Sequence, residues 1–255
     1  TLEEAVKRVH GDDCLTTIVL GKGEHVVAVY KDEDGNNIIN MLVIHSAMFI
    51  VGDSGVPKEE IVVVGGIWFK KGIEGNCHLE HLTLRYAKGI GVNGESSFTM
   101  EDVLVEQCEG EGVVAIGPGV IGRCTNVEVR QCGWSGVFAN DGGSITLIGA
   151  KTTVHHNCTN GESDTYGLEV SFSASSTVQL VSPLTKETVA VDNGGGGNWG
   201  VGLMGDINQI KTIAPSNASL LKSPVSLCSV LFSLSSLLLI TVSDLFHFYV
   251  VLRLI

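Results

Sequence analysis

Apolar and polar residues alternate with period two in short blocks along most of this chain, and the blocks recur. LTLRYAKGIGV (82–92), VLVEQCEGEGV (103–113) and VEVRQCGWSGV (127–137) align with apolar residues at positions 1, 3 and 11 and Gly at position 10. A fourth copy, TVHHNC from Thr153, reaches its Gly-apolar pair at Gly167-Leu168 after the polar insertion TNGESDT. Earlier copies keep only the alternating strand, at Ile18/Leu20, Leu42/Ile44 and Val62/Val64, and a weaker eighth lies near Val189/Val191. Strand starts at 18, 42, 62, 82, 103, 127 and 153 give steps of 20 to 26 residues. Period-two alternation is a strand signal, and no unit carries a helical stripe of period 3.6. The pattern predicts an all-β solenoid of about eight coils with three short strands per turn.

In such a stack, equivalent residues of successive turns lie about 4.8 Å apart, so one alignment column is one physical row. The row Ala87, Cys108, Cys132, Cys158 is predicted to point inward at a bend. The row Gly91, Gly112, Gly136, Gly167 marks a turn that needs either φ > 0 or close backbone packing. Leu2, Ala5, Val6 and Val9 fall at i, i+3, i+4 and i+7, with Thr1 and Glu4 in capping-box spacing. Residues 1–10 therefore predict an amphipathic helix capping the open end of a solenoid over 11–205, where unpaired strand edges would otherwise invite aggregation. A polar linker (206–222) and a hydrophobic tail (223–255) follow.

The opening helix, the strand-turn TTIVLGKGEH (16–25) and the stacked Cys/Asn and Gly rows resemble the right-handed parallel β-helix, or pectin-lyase-like, superfamily over about residues 1–205. The resemblance implies a right-handed coil. It also implies a function among polysaccharide lyases and hydrolases or among non-catalytic adhesin, carbohydrate-binding and adaptor modules. The Asn-Thr-Asp, Gly-His-Gly and Arg-Ile-Lys segments of polygalacturonase-like members do not occur here. The one Asp-Asp pair, Asp12-Asp13, follows the capping helix, and KDEDGNN (31–37) reads as a solvated turn rather than a calcium loop.

Composition narrows the field. Thirty-two Gly with 5 Pro and 44% apolar residues in 255 exclude collagen and argue against disorder. A net charge of −12 leaves no basic stripe for phosphates and counts against nucleic acid. Seven Cys without a CxxC pair read as reduced, buried thiols rather than as a disulfide framework or zinc site. In a strand, His78 and His81 point to opposite faces, as do His155 and His156, so neither pair chelates a metal; no cofactor is expected. From Ser223 to Ser243 no residue is charged. This tail reads either as a membrane anchor or as aberrant sequence such as retained non-coding sequence. The chain opens at Thr1 without an apolar leader and reads as a fragment or processed form, which leaves its compartment open.

Candidate chemistry gathers on one outward face. The row Arg85, Glu106, Arg130, His156 runs beside the rows His81, Asp102, Asn126 and Thr83, Leu104, Glu128. His81, Arg85, Arg130 and His156 are candidate ligand-binding residues, and Asp102, Glu106 and Glu128 are candidate acid and base. The alternative is that Arg and Glu simply pair along the stack. Met41, Val43, Ile61 and Val63 make the same face apolar in earlier coils, so a loop or partner is expected to cover it. The reading is a non-catalytic binding or scaffold module for carbohydrate or a protein partner, with membrane contact through the tail; the alternative is a polysaccharide lyase or glycoside hydrolase using this face.

Overall fold

The computed structural model describes residues 1–11, 15–31, 38–215 and 250–254. The opening helix spans Leu2–His10. The Thr1 hydroxyl accepts from the Glu4 amide at 3.3 Å while Glu4 reaches back to the N-terminal ammonium at 2.9 Å. Two otherwise unpaired helix-end donors are satisfied this way. Leu2, Ala5, Val6 and Val9 are buried in the core against the first strand, so the helix closes that end as its pattern predicts.

The rest is mostly β and almost wholly parallel, consistent with a parallel β-helix-like solenoid. Strands fall into three columns that the chain visits in turn. The first holds Leu15–Leu20, Phe49–Gly52, the start of Cys77–Arg85, the start of Phe98–Glu106, Ile121–Thr125, Ser144–Ile148, Thr177–Val181 and Ile210–Ile213. The second holds Gly23–Val26, Ile61–Val64, the ends of Cys77–Arg85 and Phe98–Glu106, then Glu128–Arg130, Thr153–His155 and Ala190–Val191. The third, a separate seven-stranded sheet, runs from Met41–Ile44 through Gly66–Phe69, Val92–Gly94, Val113–Ile116, Val137–Asn140 and Leu168–Ser171 to Trp199–Val201. Among the described residues the one antiparallel pair is Tyr30–Lys31 with Ile38–Ile39.

Three rows differ from the alignment of the sequence. Ile18/Leu20, Leu42/Ile44 and Val62/Val64 belong to the first, third and second columns respectively, so they are not copies of one strand. In the second column Val63 pairs with Leu84, and Ile61 and Val63 are fully buried; they point into the core, not onto the outward face assigned to them. After Ser144–Ile148 the chain takes four residues, Gly149 to Thr152, to reach the next strand, where the preceding coil uses only Asn126 and Val127. Thr153 therefore pairs with Glu128, and the row becomes Ala87, Cys108, Cys132, Asn157, Asn193 in place of Cys158. A one-residue slip in a strand swaps its faces, which is why the corrections at Val63 and at Thr153 invert side-chain directions.

The Asn positions extend the row by hydrogen bonding. Asn157 donates to the Val129 carbonyl at 3.0 Å and accepts from the Cys132 amide at 3.1 Å; Asn193 repeats this one coil on, donating to the Val154 carbonyl at 3.0 Å. Gly91, Gly112, Gly136 and Gly167 keep ordinary negative φ, so close packing is what the row requires. A Cβ would stand 2.7 Å from the Gly112 carbonyl oxygen at Gly91, 2.6 Å from that of Gly136 at Gly112, and 2.8 Å from that of Gly167 at Gly136.

At the C-terminal side, Ile210–Ile213, inside the stretch read as a linker, adds a strand to Thr177–Val181. Within the stretch read as a tail, Val250–Leu254 pairs in parallel with Leu15–Leu20. No helix among the described residues is long and apolar enough to cross a membrane. Residues 216–249 and 255, which hold most of the linker-to-tail stretch, lie outside the described residues, as do Asp12-Asp13 and 32–37. Gly112→Ala forces a methyl group against backbone and is expected to cost about 1–3 kcal/mol, whereas Gly89→Ala, whose added Cβ meets nothing within 4 Å, leaves the melting temperature nearly unchanged; thermal unfolding followed by circular dichroism compares the two.

Candidate functional site

The mixed-charge face forms, and ion pairs close it. Glu106, only 3% exposed, accepts from Arg85 Nε at 2.5 Å on one carboxylate oxygen and from Arg130 at 2.8–2.9 Å on the other. Arg130 also donates to Glu128 at 2.8 Å, and Glu128 lies 3.2 Å from His155 Nε2. The chain Arg85, Glu106, Arg130, Glu128, His155 thus links successive coils. His155 rather than His156 holds the row position, because of the register shift at Gly149 to Thr152. His156, at φ 56°, turns into the next row, with its Nδ1 2.7 Å from His155 Nδ1.

His81 and Asp102 form a second network. Both sit at the bend between the first and second columns with φ 52°, in the left-handed region. Asp102 bridges Lys58 Nζ and His81 Nδ1, each at 2.7 Å, and His81 Nε2 meets the Val56 carbonyl at 2.8 Å. Burial opposes charge on both groups. The Val56 carbonyl and Asp102 outweigh it and raise the His81 pKa; Lys58 and His81 outweigh it and lower that of Asp102. The segment carrying Val56 and Lys58 lies over the outward row: the Lys58 carbonyl accepts from Thr83, which is fully buried. That segment is not the cover expected over Met41, Val43, Ile61 and Val63, since Ile61 and Val63 point inward and Met41 and Val43 belong to the third column.

This arrangement is poor at acid-base chemistry. Glycoside hydrolysis needs a carboxyl held protonated beside a second carboxylate. Here Glu106 has both oxygens on guanidinium groups and Asp102 is held ionised. The face brings Arg85, Glu106, Glu128 and Arg130 together, joins His81 to Asp102, and leaves His156 in the next row, touching the ladder only through His155.

An open groove lies one bend further on, between the second and third columns. Its volume is about 810 Å³, and its lining includes Tyr86, Lys88, Gln107, Glu109, Glu111, Gln131, Trp134 and Asn160. Tyr86, Gln107 and Gln131 occupy one row with φ of 58°, 55° and 57°. Each follows a residue of the charged row, and the left-handed turn sends the chain from the second column toward the third. Tyr86 is 50% exposed and Trp134 41%. Backbone bonds hold the loops in register: Gly110 N to Gly89 O at 2.9 Å, Gly133 N to Cys108 O at 2.8 Å and Trp134 N to Gly110 O at 3.1 Å. Buried Asn40 pins one end, donating to the Tyr86 carbonyl at 3.1 Å and accepting from the Lys88 amide at 2.7 Å.

Sequence reasoning missed this groove, although Tyr86, Gln107 and Gln131 share one alignment column immediately before the Ala/Cys row. A conspicuous group near it is Glu169, 7% exposed on the outward side of the third sheet and hydrogen-bonded by the Ser135 hydroxyl. Burial, with Glu111 and Asp164 nearby, pushes its carboxyl up to about 7. The five described cysteines are free and buried, and burial raises Cys77 to about 11 and Cys124 to about 12. No group of three His, Cys, Asp or Glu among the described residues is placed to hold a metal ion.

Fold and site together define a parallel β-stack carrying an aromatic and amide groove beside a closed ion-pair face. No protein-family model matches the chain, and neither a curated protein nor a solved structure shows significant similarity to it.

Two outcomes are expected. Glu106→Gln removes the carboxylate of Arg85 and one of the two that hold Arg130, and lowers stability by roughly 1–3 kcal/mol, an effect read by chemical denaturation. Glu169 has a folded pKa of about 7 against an ordinary 4.5, so its contribution to stability is full below about 4.5 and is lost as pH rises through about 7. Glu169→Gln is therefore expected to be more stable than the parent at pH 8 and to flatten its stability profile between pH 4.5 and 8.

Proposed function

We propose that this chain is a right-handed parallel β-helix of about eight coils, of the pectin-lyase-like superfamily, acting as a non-catalytic carbohydrate-binding module. The reading rests on one observation: the groove in which exposed Tyr86 and Trp134 accompany the amides of Gln107, Gln131 and Asn160. Aromatic faces offer apolar area to the C–H faces of a sugar ring, and carboxamides offer paired donors and acceptors to its hydroxyls. Gln107 and Gln131 stand at equivalent bends of neighbouring coils, about 4.8 Å apart, a rise comparable with the length of one pyranose ring. A glycan lying along the stack axis would thus meet one rung per sugar. The ion pairs on Glu106, Glu128 and Asp102 weigh against a lyase or hydrolase on the mixed-charge face.

Isothermal titration with a panel of neutral and acidic hexasaccharides tests the proposal. Trp134→Ala is expected to weaken the best ligand by about ten-fold or more with the circular dichroism spectrum unchanged. Absence of binding by every member of the panel would overturn it.

A further inference from the structure

Resting on that reading of the groove, we infer that it accepts neutral glycans and turns away polyuronates. The charges around it point this way. Lys88 is the only cation in the lining, and its ammonium is paired with Glu109. Glu111, also in the lining, has no cationic partner among the described residues, and burial raises its pKa. The guanidinium groups of Arg85, 5.8 Å from the Tyr86 ring centre, and of Arg130 are both held by Glu106. Past Asn160 the chain continues with exposed Glu162 and Asp164.

A polyuronate brings one negative charge per sugar. Each uronate seated here would need a cation to offset its lost hydration, and the only one available is engaged; Glu111 would repel it. A neutral chain meets no such barrier, because Gln107, Gln131 and Asn160 supply both donors and acceptors. The Trp134 ring is indifferent to the charge of the sugar's carboxyl end. Selection therefore lies in the acidic side chains, and the aromatic pair supplies adhesion.

The probes are cellohexaose, mannohexaose, xylohexaose and hexagalacturonate, titrated at low and high salt. Hexagalacturonate is expected to bind at least about ten-fold more weakly than the best neutral hexaose at low salt, with neutral binding insensitive to salt. Glu109→Gln, at an exposed position, frees Lys88 and is expected to raise hexagalacturonate affinity about ten-fold relative to that of the neutral hexaoses, in a salt-sensitive manner. Glu111→Gln is expected to act in the same direction. Hexagalacturonate binding as tight as, or tighter than, that of the neutral chains would overturn the selectivity while leaving the carbohydrate-binding reading standing. Failure of all four probes would instead remove the binding reading itself.

Discussion

Parallel backbone pairing between successive coils is the constraint on which everything else in this molecule depends. Its tightest point is the row Gly91, Gly112, Gly136, Gly167, where each carbonyl of the next coil lies where a Cβ would stand. Amides of Val92, Val113 and Val137 donate across this row at 2.8–2.9 Å. Once the spacing is set there, every other side chain is forced into a row at the same pitch. Inward rows become continuous apolar columns such as Val63, Leu84, Val105, Val129 and Val154, each fully buried. Burying such a side chain contributes about 1.5–3 kcal/mol, so the columns supply the main driving force for stacking.

The same pitch governs polar rows. Like charges repeated at about 4.8 Å would repel, and the sequence avoids this by alternation. Arg85 and Arg130 flank Glu106, and Glu128 sits between Arg130 and His155. What looks in isolation like a catalytic set is a ladder of partners. At the groove, by contrast, the row Tyr86, Gln107, Gln131 is uncharged, and two further acidic groups, Glu111 and Glu169, sit half-buried or buried beside it without an ion pair. Groups that are not used up by the stack are the ones available to a ligand.

Much of the architecture was legible in the chain. Period-two alternation gave strands, the recurring Gly gave the tight turn, and Leu2, Ala5, Val6 and Val9 gave the capping helix. Register was legible only where spacing stayed constant. Between the strands at 82, 103 and 127 the rows align as read, because each coil keeps the same bend at His81, Asp102 and Asn126. Two extra residues before Thr153 moved His155 into the place read for His156 and Asn157 into that read for Cys158. Equivalent positions of the first column are 21 residues apart from His78 to Thr99 but 33 from Thr146 to Gln179, so no single period places the outer coils.

The sequence by itself determined the element type, the inward apolar rows of the central coils and the acidic, cation-poor surface, because these follow from local alternation and composition. Tertiary structure alone decided which charges neutralise one another, that the Val56 to Lys58 segment covers Thr83, and that Tyr86, Gln107, Gln131 and Trp134 share a groove. Those outcomes depend on loop lengths and on left-handed bends at non-glycine residues. Loop lengths leave no periodic trace, and the bends recur only as a column of dissimilar residues such as Tyr86, Gln107 and Gln131, whose conformation their identities do not announce.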